Sequence, residues 1–280
     1  ESAGAKDTDM IIAVTRNDEI NMIVCQIASS LFNISKKIAR IRSQEFLEGK
    51  WSKLYSKANI PIDVIISPER EVAKSLFRKL EAPGALDNVP FVKDKVKLLE
   101  ILIEKKCPIA NTPLSDLTKK FPEFKAYIFG AERKEKFVFF KKNDQMKVGD
   151  KVYLVVSTDQ IKKLLSVFGH DEKLAKKILI IGGGNISLHL AKLLEESDGL
   201  RTKIIEKNKS RAEQLAGELS SSIIICGDPL DEKILKEANI EEIETVFALT
   251  DDDEDNIMSC VLAEKYTPSK RTIAIINKHN

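Results

Sequence analysis

Apolar residues in the second half of the chain form short continuous runs that alternate with stretches of helical spacing. Lys177–Ile181 has the length of a strand that is covered on both faces of a parallel sheet, and Asn185–Glu195 carries its apolar residues at helical spacing. Further strands are predicted at 200–205, 223–226, 245–249 and 272–276, with helices between them. This alternation predicts an α/β fold, a Rossmann-like doubly wound parallel sheet, for residues 173–280.

The pattern of residues 83–172 predicts a small α+β domain. Pro83-Gly84 breaks the chain at its start. Leu114, Leu117 and Phe121 fall on one face of a short helix and are predicted to point inward. The aromatic-rich strands suit packing or dimerisation. Strands are predicted at 96–103, 125–129, 137–140 and 151–156, and helices at 113–121 and 161–168.

Three consecutive glycines join the strand that ends at Ile181 to the helix that begins at Asn185. Glycine lets the backbone approach a pyrophosphate, and the helix N-terminus offers it unpaired N–H groups. Strand, glycine turn and helix are the context that a dinucleotide-binding motif requires. In the pattern G-x-G-x-x-G the third glycine is replaced by Ser187. Because that position mainly serves close packing of helix on strand, we expect serine to be tolerated.

An acidic residue ends the second predicted strand of this unit. Glu206 lies 22 residues after Gly184. An acid here accepts hydrogen bonds from a ribose diol and repels a 2′-phosphate, which favours NAD over NADP; the alternative is a surface glutamate. Ser210 is predicted to cap the next helix and places Arg211 in its first turn. A cation there is unfavourable beside the helix dipole unless a phosphate or carboxylate lies nearby or the side chain is exposed.

An acidic run, Asp251–Asp255, follows the fourth predicted strand and Thr250. Carboxylates at a helix N-terminus are favourable by themselves, by about 0.3–1 kcal/mol each. The run lacks the spacing and the glycine of an EF-hand loop, so a loosely held divalent ion is an alternative that we do not expect. It nevertheless lies past the carboxyl end of a strand, where ligands of such sheets bind.

An internal repeat connects the two ends of the chain. Ala248–Asn256 recurs as Ala13–Asn21, and ten identical pairs align at an offset of 235 residues without a gap. Such a repeat indicates a duplicated domain. The same offset places the first glycine loop upstream of Glu1. We therefore expect a fragment in which residues 1–82 hold only the back half of a first unit, with an exposed sheet edge and exposed apolar surface.

The charge, the cysteines and the hydrophobicity of the chain argue against several classes of function. The net charge of the 280 residues is +2, which gives no electrostatic case for nucleic acid binding. The four cysteines are widely spaced and form no CxxC pair, so they indicate neither a metal site nor a disulfide framework, and a reducing cytoplasm fits. No apolar run approaches the roughly 20 residues that a membrane span needs. If the protein works with a membrane, we expect a peripheral subunit.

Together, these residues resemble the TrkA family, the cytoplasmic regulatory subunits of bacterial Trk potassium uptake systems, which are built from tandem RCK (KTN) units. The resemblance covers essentially the whole chain, and Ser187 departs from the usual glycine. It rests on Ile180–Ile186, Glu206 with Arg211, Gly227-Asp228, Thr250 with Asp253, Glu254 and Asn256, Ile66–Glu69, Pro83–Leu86, Gly149-Asp150, and the repeated segments Ile12–Thr15, Asp18–Asn21 and Ile38–Arg42.

The resemblance implies a first RCK-N domain at residues 1–82 without its front half, an RCK-C domain at 83–172 and a second RCK-N domain at 173–280. A small further module is expected after residue 280. The implied ligand is NAD or NADH, with ATP or ADP as the alternative. The implied assembly is a homo-oligomer, a dimer to tetramer of RCK units, that gates a TrkH-type potassium channel from the inner face of the membrane. The implied nucleotide-binding residues are Gly182, Gly183, Gly184, Asn185, Ile186, Glu206, Lys207, Arg211, Gly227, Asp228, Thr250, Asp251 and Asp253.

An NAD-dependent oxidoreductase is the alternative interpretation. Tyr266–Lys270 matches Y-x-x-x-K, a spacing that brings tyrosine and lysine together on a helix, but Pro268 interrupts that helix. His170 falls in a linker and His189 one turn into the nucleotide helix, and no substrate domain supplies a base. A redox sensor acting on DNA would need a helix-turn-helix or a basic stripe, and neither is visible. We therefore expect that the chain is not an enzyme.

Overall fold

The structure, a computed structural model, describes residues 2, 4–47, 50–56, 59–266 and 271–277. The chain forms two compact units, Glu1–Ala73 and Lys74–Asn280. The elements that begin in the first unit are β1 (Met10–Ala13), α1 (Asp18–Phe32), β2 (Lys36–Arg40), α2 (Gln44–Leu47), β3 (Val64–Ile66) and α3 (Pro68–Glu81). The three strands are parallel and pair in the order β1-β2-β3.

The middle of the chain forms an antiparallel sheet with helices, as the sequence predicts. Its elements are β4 (Asp87–Phe91), β5 (Val96–Leu102), α4 (Leu114–Lys120), β6 (Ala126–Arg133), β7 (Lys136–Phe139), β8 (Lys151–Ser157) and α5 (Ile161–Val167). The strand order is β4-β5-β8-β6-β7. Leu114, Leu117 and Phe121 pack against the core, as predicted. The sequence did not predict β4, which contains Pro90; it is an edge strand, where proline is tolerated.

Residues 177–266 and 271–274 form the predicted doubly wound sheet with its helices. Its elements are β9 (Lys177–Ile181), α6 (Asn185–Glu195), β10 (Arg201–Glu206), α7 (Lys209–Glu218), β11 (Ile223–Cys226), α8 (Glu232–Glu237), β12 (Thr245–Ala248), α9 (Asp253–Tyr266) and β13 (Arg271–Ala274). All strands are parallel, in the order β11-β10-β9-β12-β13. Residues 178–181 are fully buried because β9 is central, which explains their uninterrupted apolar run.

One helix cap differs from the prediction. The side chain of Asn208, not that of Ser210, caps α7 and accepts a hydrogen bond from the Arg211 N–H. Both residue types cap helices well, but α7 begins at Lys209, so Asn208 is the N-cap and Ser210 lies within the helix.

The strand pairing of the two ends of the chain confirms the internal repeat. Met10 pairs with Lys36 in the first unit, and the residues 235 positions later, Thr245 and Arg271, pair in the same way. Burial differs sharply between the copies. Ile12 of β1 is 56% exposed, whereas the equivalent Phe247 of β12 is fully buried. Among the described residues, β1 pairs only with β2, so the expected open edge and apolar surface are confirmed.

None of the helices formed by the described residues has both the length and the apolarity that crossing a membrane requires.

Candidate functional site

The glycine loop lies at the carboxyl edge of the sheet, between β9 and α6. The strand order reverses beside β9, whose neighbours are β10 and β12, and a crevice at such a reversal is where ligands of doubly wound sheets bind. Gly182 has a φ of +92°, and a Cβ there would lie 2.8 Å from the Thr250 Cγ2 atom. Glycine is therefore required at this position for backbone conformation and for packing.

Glu206 is held against the glycine loop. Its carboxylate accepts one hydrogen bond from the Gly183 N–H, at 2.6 Å, and another from the Asn208 N–H, also at 2.6 Å. A Cβ at Gly183 would approach the Glu206 Oε2 atom to 2.6 Å. The predicted ribose acid therefore lies beside the predicted pyrophosphate loop. A carboxylate has about four lone-pair sites, so acceptor capacity remains for a ribose diol.

Gly184 differs from its neighbours because no described atom requires a glycine there. A Cβ at this position would meet nothing nearer than the Leu249 carbonyl oxygen, at 4.0 Å. Gly184 is the N-cap of α6 and offers no side chain to the first turn. Within the described chain, the N–H groups of Asn185, Ile186 and Ser187 donate to no backbone or side-chain acceptor. The loop thus forms an open cradle before a helix N-terminus, the geometry that binds an anion.

Arg211 lies over the same loop rather than in solvent. Its Nε donates to the Gly183 carbonyl at 2.7 Å, and its Nη2 donates to the Asn185 Oδ1 at 3.3 Å. The guanidinium also contacts Gln214 at 2.8 Å. The sequence left the surroundings of this cation open. The structure places its positive charge beside the cradle.

The ends of β10 and β11 are joined by an ion pair between Lys207 and Asp228, 2.9 Å apart. The hydrogen bond from Lys207 lowers the pKa of Asp228, and the Asp228 carboxylate raises the pKa of Lys207. Gly227 precedes Asp228, and a Cβ there would lie 2.4 Å from the Ile234 Cδ1 atom. Gly227 is therefore explained by packing against α8.

Thr250 is anchored by Asn256, a fully buried residue of α9. The Asn256 Oδ1 accepts hydrogen bonds from the Thr250 N–H and hydroxyl, both at 2.8 Å. The Asn256 Nδ2 donates to the Thr250 carbonyl at 3.0 Å and to the Ile275 carbonyl at 2.9 Å. Thr15 and Asn21 form the same network in the first unit. This repeated network fixes the loop after β12 and explains why both signatures keep Thr and Asn.

The acidic run forms local contacts. The Asp252 carboxylate accepts from the N–H groups of Glu254 and Asp255, so Asp252 caps α9. The Asp253 carboxylate accepts from the backbone N–H of Asn277 at 2.9 Å. Asp251 is exposed. Among the described residues, no group of three or more His, Cys, Asp or Glu side chains is arranged to hold a metal ion.

The residues named for an oxidoreductase do not assemble into a described site. Tyr266 ends α9, and Pro268 and Lys270 lie outside the described residues. His189 is buried in α6, and the His170 Nδ1 lies 3.3 Å from the Glu172 carboxylate.

Comparison with known proteins identifies the family. Residues 1–68 and 178–280 match the model of the TrkA-N domain, and residues 98–169 match that of the TrkA-C domain. This chain belongs to the TrkA family. The resemblance inferred from the sequence is therefore confirmed.

Two relatives are named Trk system potassium uptake protein TrkA. The one from Azorhizobium caulinodans is 44% identical over 99% of this chain, and the one from Vibrio alginolyticus is 37% identical over 98%. The chain spans 60% and 59% of their lengths. These TrkA relatives are named as transport proteins and not as enzymes, which agrees with the expected absence of an enzymatic function.

Solved structures share the fold. The GsuK RCK domain covers 95% of this chain with a TM-score of 0.60 at 18% identity, and this chain covers 54% of it. The GsuK channel has a TM-score of 0.63 at 18% identity, with coverage of 95% of this chain and 45% of that chain. These neighbours confirm the predicted RCK fold class.

Proposed function

We propose that this TrkA-family chain is a nucleotide-sensing regulatory component of a potassium uptake system. The observation that carries the proposal is the open cradle at Gly184, which faces the unpaired N–H groups of Asn185 and Ile186 and lies beside Glu206. The protein's own packing accounts for Gly182, Gly183 and Gly227 but leaves Gly184 without a structural reason. A ligand whose phosphate approaches the backbone at this point supplies that reason.

The residues around the cradle fit an adenine dinucleotide, NAD or NADH. The N–H groups of α6 would hold the pyrophosphate, which supplies negative charge at the helix N-terminus, and Arg211 would balance that charge. Glu206 would accept from the ribose diol, which disfavours the 2′-phosphate of NADP. A solved structure of the same fold is described as the GsuK channel bound to NAD. ATP and ADP are the alternative ligands, because they present the same ribose and phosphates.

The remaining predicted residues take supporting roles in this proposal. Gly227, Lys207 and Asp228 form the wall at the ends of β10 and β11. Thr250, Asp251 and Asp253 shape the opposite wall, beyond β12.

We assign RCK-N domains to residues 1–82 and 173–280 and an RCK-C domain to residues 83–172. In this proposal the chain assembles as a dimer to tetramer of RCK units and docks on the cytoplasmic face of a TrkH-type channel. The exposed aromatic side chains of Tyr127 and Phe139 support assembly through the RCK-C domain. Nucleotide binding would then shift the channel between two states by its different affinity for each.

Thermal unfolding with NAD, NADH, NADP and ATP tests the binding step. A ligand at 100 times its Kd stabilises the folded state by about 2.7 kcal/mol, so NAD or NADH should raise the melting temperature measurably. Glu206→Gln should weaken NAD binding at least tenfold and reduce discrimination against NADP. Glu213→Gln, an exposed glutamate on α7, is the matched control. If none of the four nucleotides stabilises the chain, the binding proposal is wrong.

Rubidium flux into proteoliposomes that contain a TrkH-type channel tests the regulatory step. Addition of this chain should make the flux depend on NAD or NADH, and Glu206→Gln should remove that dependence. If the rubidium flux is the same with and without this chain and with and without nucleotide, the proposed regulation is wrong, even where nucleotide binding is established.

A further inference from the structure

The middle module contains a cavity that the nucleotide site does not use. It has a volume of about 560 Å³ and lies between α4, the start of β6 and α5. Its apolar wall includes the half-buried outer layer of the module's core. The rings of Phe121 and Phe124 form part of this wall, with their centroids 5.5 Å apart. Leu114, Ile128, Phe140 and Val167 also contribute to it.

The charged residues that line the cavity are all cations. Lys119, Lys141 and Lys142 contribute to the lining, and none of the lining residues is acidic. Lys119 has an ion-pair partner in Asp116, at 3.5 Å. Lys141 and Lys142 are exposed and form no ion pair with any residue that the structure describes. The Asp144 carboxylate accepts a hydrogen bond from the Lys141 backbone N–H at 2.6 Å but is not part of the cavity lining. The cavity thus has an apolar wall and a cationic rim, which complements a molecule with an apolar body and an anionic head.

The size and shape of the cavity favour a small molecule. Small-molecule sites are concave, mostly apolar, and have volumes of about 300–1,000 Å³. We propose that this cavity binds an amphipathic organic anion, with an acyl or aryl body among the phenylalanine rings and a carboxylate or phosphate head beside Lys141 and Lys142. The middle module would then respond to a ligand of its own. Its lining shares no residue with the candidate nucleotide site, so ligand binding in the cavity and nucleotide binding can be tested separately.

Isothermal titration of the whole chain with three ten-carbon probes tests the head-group preference. Decanoate should bind saturably with one site per chain. Decanol should bind more weakly, because its head carries no charge, and decylamine should bind most weakly, because the lysines repel it. We expect about a tenfold difference between decanoate and decanol, since each exposed charge contributes a factor of a few.

Variants locate the binding. The double variant Lys141→Gln/Lys142→Gln should lower the affinity for decanoate about tenfold and leave that for decanol unchanged. Lys105→Gln/Lys162→Gln, two exposed lysines of the same module outside the cavity, is the matched control. Equal affinities for decanoate and decylamine would overturn the charge argument.

Filling the cavity should abolish binding of both decanoate and decanol. Ala126→Phe places a ring in the space from β6, and Ser115→Phe does so from α4 if the first variant fails to fold. Circular dichroism and the midpoint of thermal unfolding report whether each variant keeps its fold. Decanoate binding that survives in a folded filling variant overturns the proposal. So does an absence of saturable binding in the parent chain, or a filling variant that changes only the oligomeric state.

Discussion

The variant Gly184→Ala tests whether glycine is needed at this position for ligand binding or for the stability of the fold. The new methyl group would meet no described atom closer than the Leu249 carbonyl oxygen, at 4.0 Å. With a φ of −65° and a ψ of −177°, the backbone conformation is open to alanine. Lower entropy of the unfolded chain favours alanine by about 0.4–1 kcal/mol, and the weaker N-cap of alanine costs a similar amount. We therefore expect the melting temperature without nucleotide to change by less than about 2 °C.

The same methyl group would lie in the cradle that the phosphate approaches. Each charge-assisted hydrogen bond that is lost costs about 1.5–3 kcal/mol, so the affinity for NAD should fall about tenfold to a hundredfold. Titration calorimetry measures the affinity, and thermal unfolding followed by circular dichroism measures the stability.

Two further glycine variants serve as comparisons for the stability and the NAD affinity of Gly184→Ala. Gly183→Ala would press a methyl group to 2.6 Å from both the Glu206 Oε2 and the Leu215 Cδ1 atoms, so it should destabilise the unliganded chain by about 1–3 kcal/mol. Gly217→Ala, in α7 with nothing within 4 Å, should be neutral or stabilising and should bind NAD normally. Wild-type affinity in Gly184→Ala, or a loss of stability as large as that of Gly183→Ala, would refute the argument.

Three other predictions concern stability. Glu195→Gln should cost about 1.5–3 kcal/mol at pH 7, because the carboxylate accepts hydrogen bonds from Ser220–Ser222. Burial raises the pKa of Glu195, but the hydrogen bonds have the larger combined effect and lower the pKa from 4.5 to about 2. The stabilisation is therefore complete above about pH 4.5 and is lost as the pH falls toward 2. Asn256→Ala should cost about 2–4 kcal/mol, since it removes four hydrogen bonds. Arg133→Ala should destabilise the middle module by about 3 kcal/mol, because it leaves the buried Asp150 without its bidentate partner.

Urea denaturation followed by circular dichroism checks all three variants, and repeating it between pH 7 and pH 3.5 checks the pH dependence. Glu213→Gln is the control for Glu195→Gln, and its stability should not differ from that of the parent chain. Arg133→Lys should recover only part of the loss, because lysine cannot form both hydrogen bonds with the carboxylate. A variant whose unfolding midpoint equals that of the parent contradicts the contact on which its prediction rests.

The sequence predicted most of the fold because the signals are local. The buried run at 178–181, the helical spacing of Asn185–Glu195 and the glycine turn between them each specify their own element. Alternation of such elements restricts the topology to a doubly wound sheet. The repeat likewise predicted the open sheet edge of the first unit. The edge strand β4 was not predicted, because Pro90 weakens the local sequence pattern of a strand.

The candidate site was only partly predictable, because the partner of a side chain is set by distant elements. The sequence placed Glu206 near the glycine loop but could not show that Gly183 binds it. The prediction of Ser210 as the helix cap was wrong, because Asn208 is the residue whose side chain reaches the first turn. Nor could the sequence show that the Thr250 hydroxyl, in a residue predicted to contact the ligand, donates a hydrogen bond to Asn256.

The sequence by itself thus determined the type of element at each position, the duplication and the chemistry available at the strand ends, because these depend on neighbouring residues and on chain order. Only the tertiary structure decided which side chains are buried and which residues form hydrogen bonds with each other. Ile12 and Phe247 occupy equivalent positions, yet only Phe247 is buried, since β12 has a strand on either side and β1 is paired on one side among the described residues. Likewise, three adjacent glycines look alike in the chain, and only their neighbours in space show that Gly184 is the one left open.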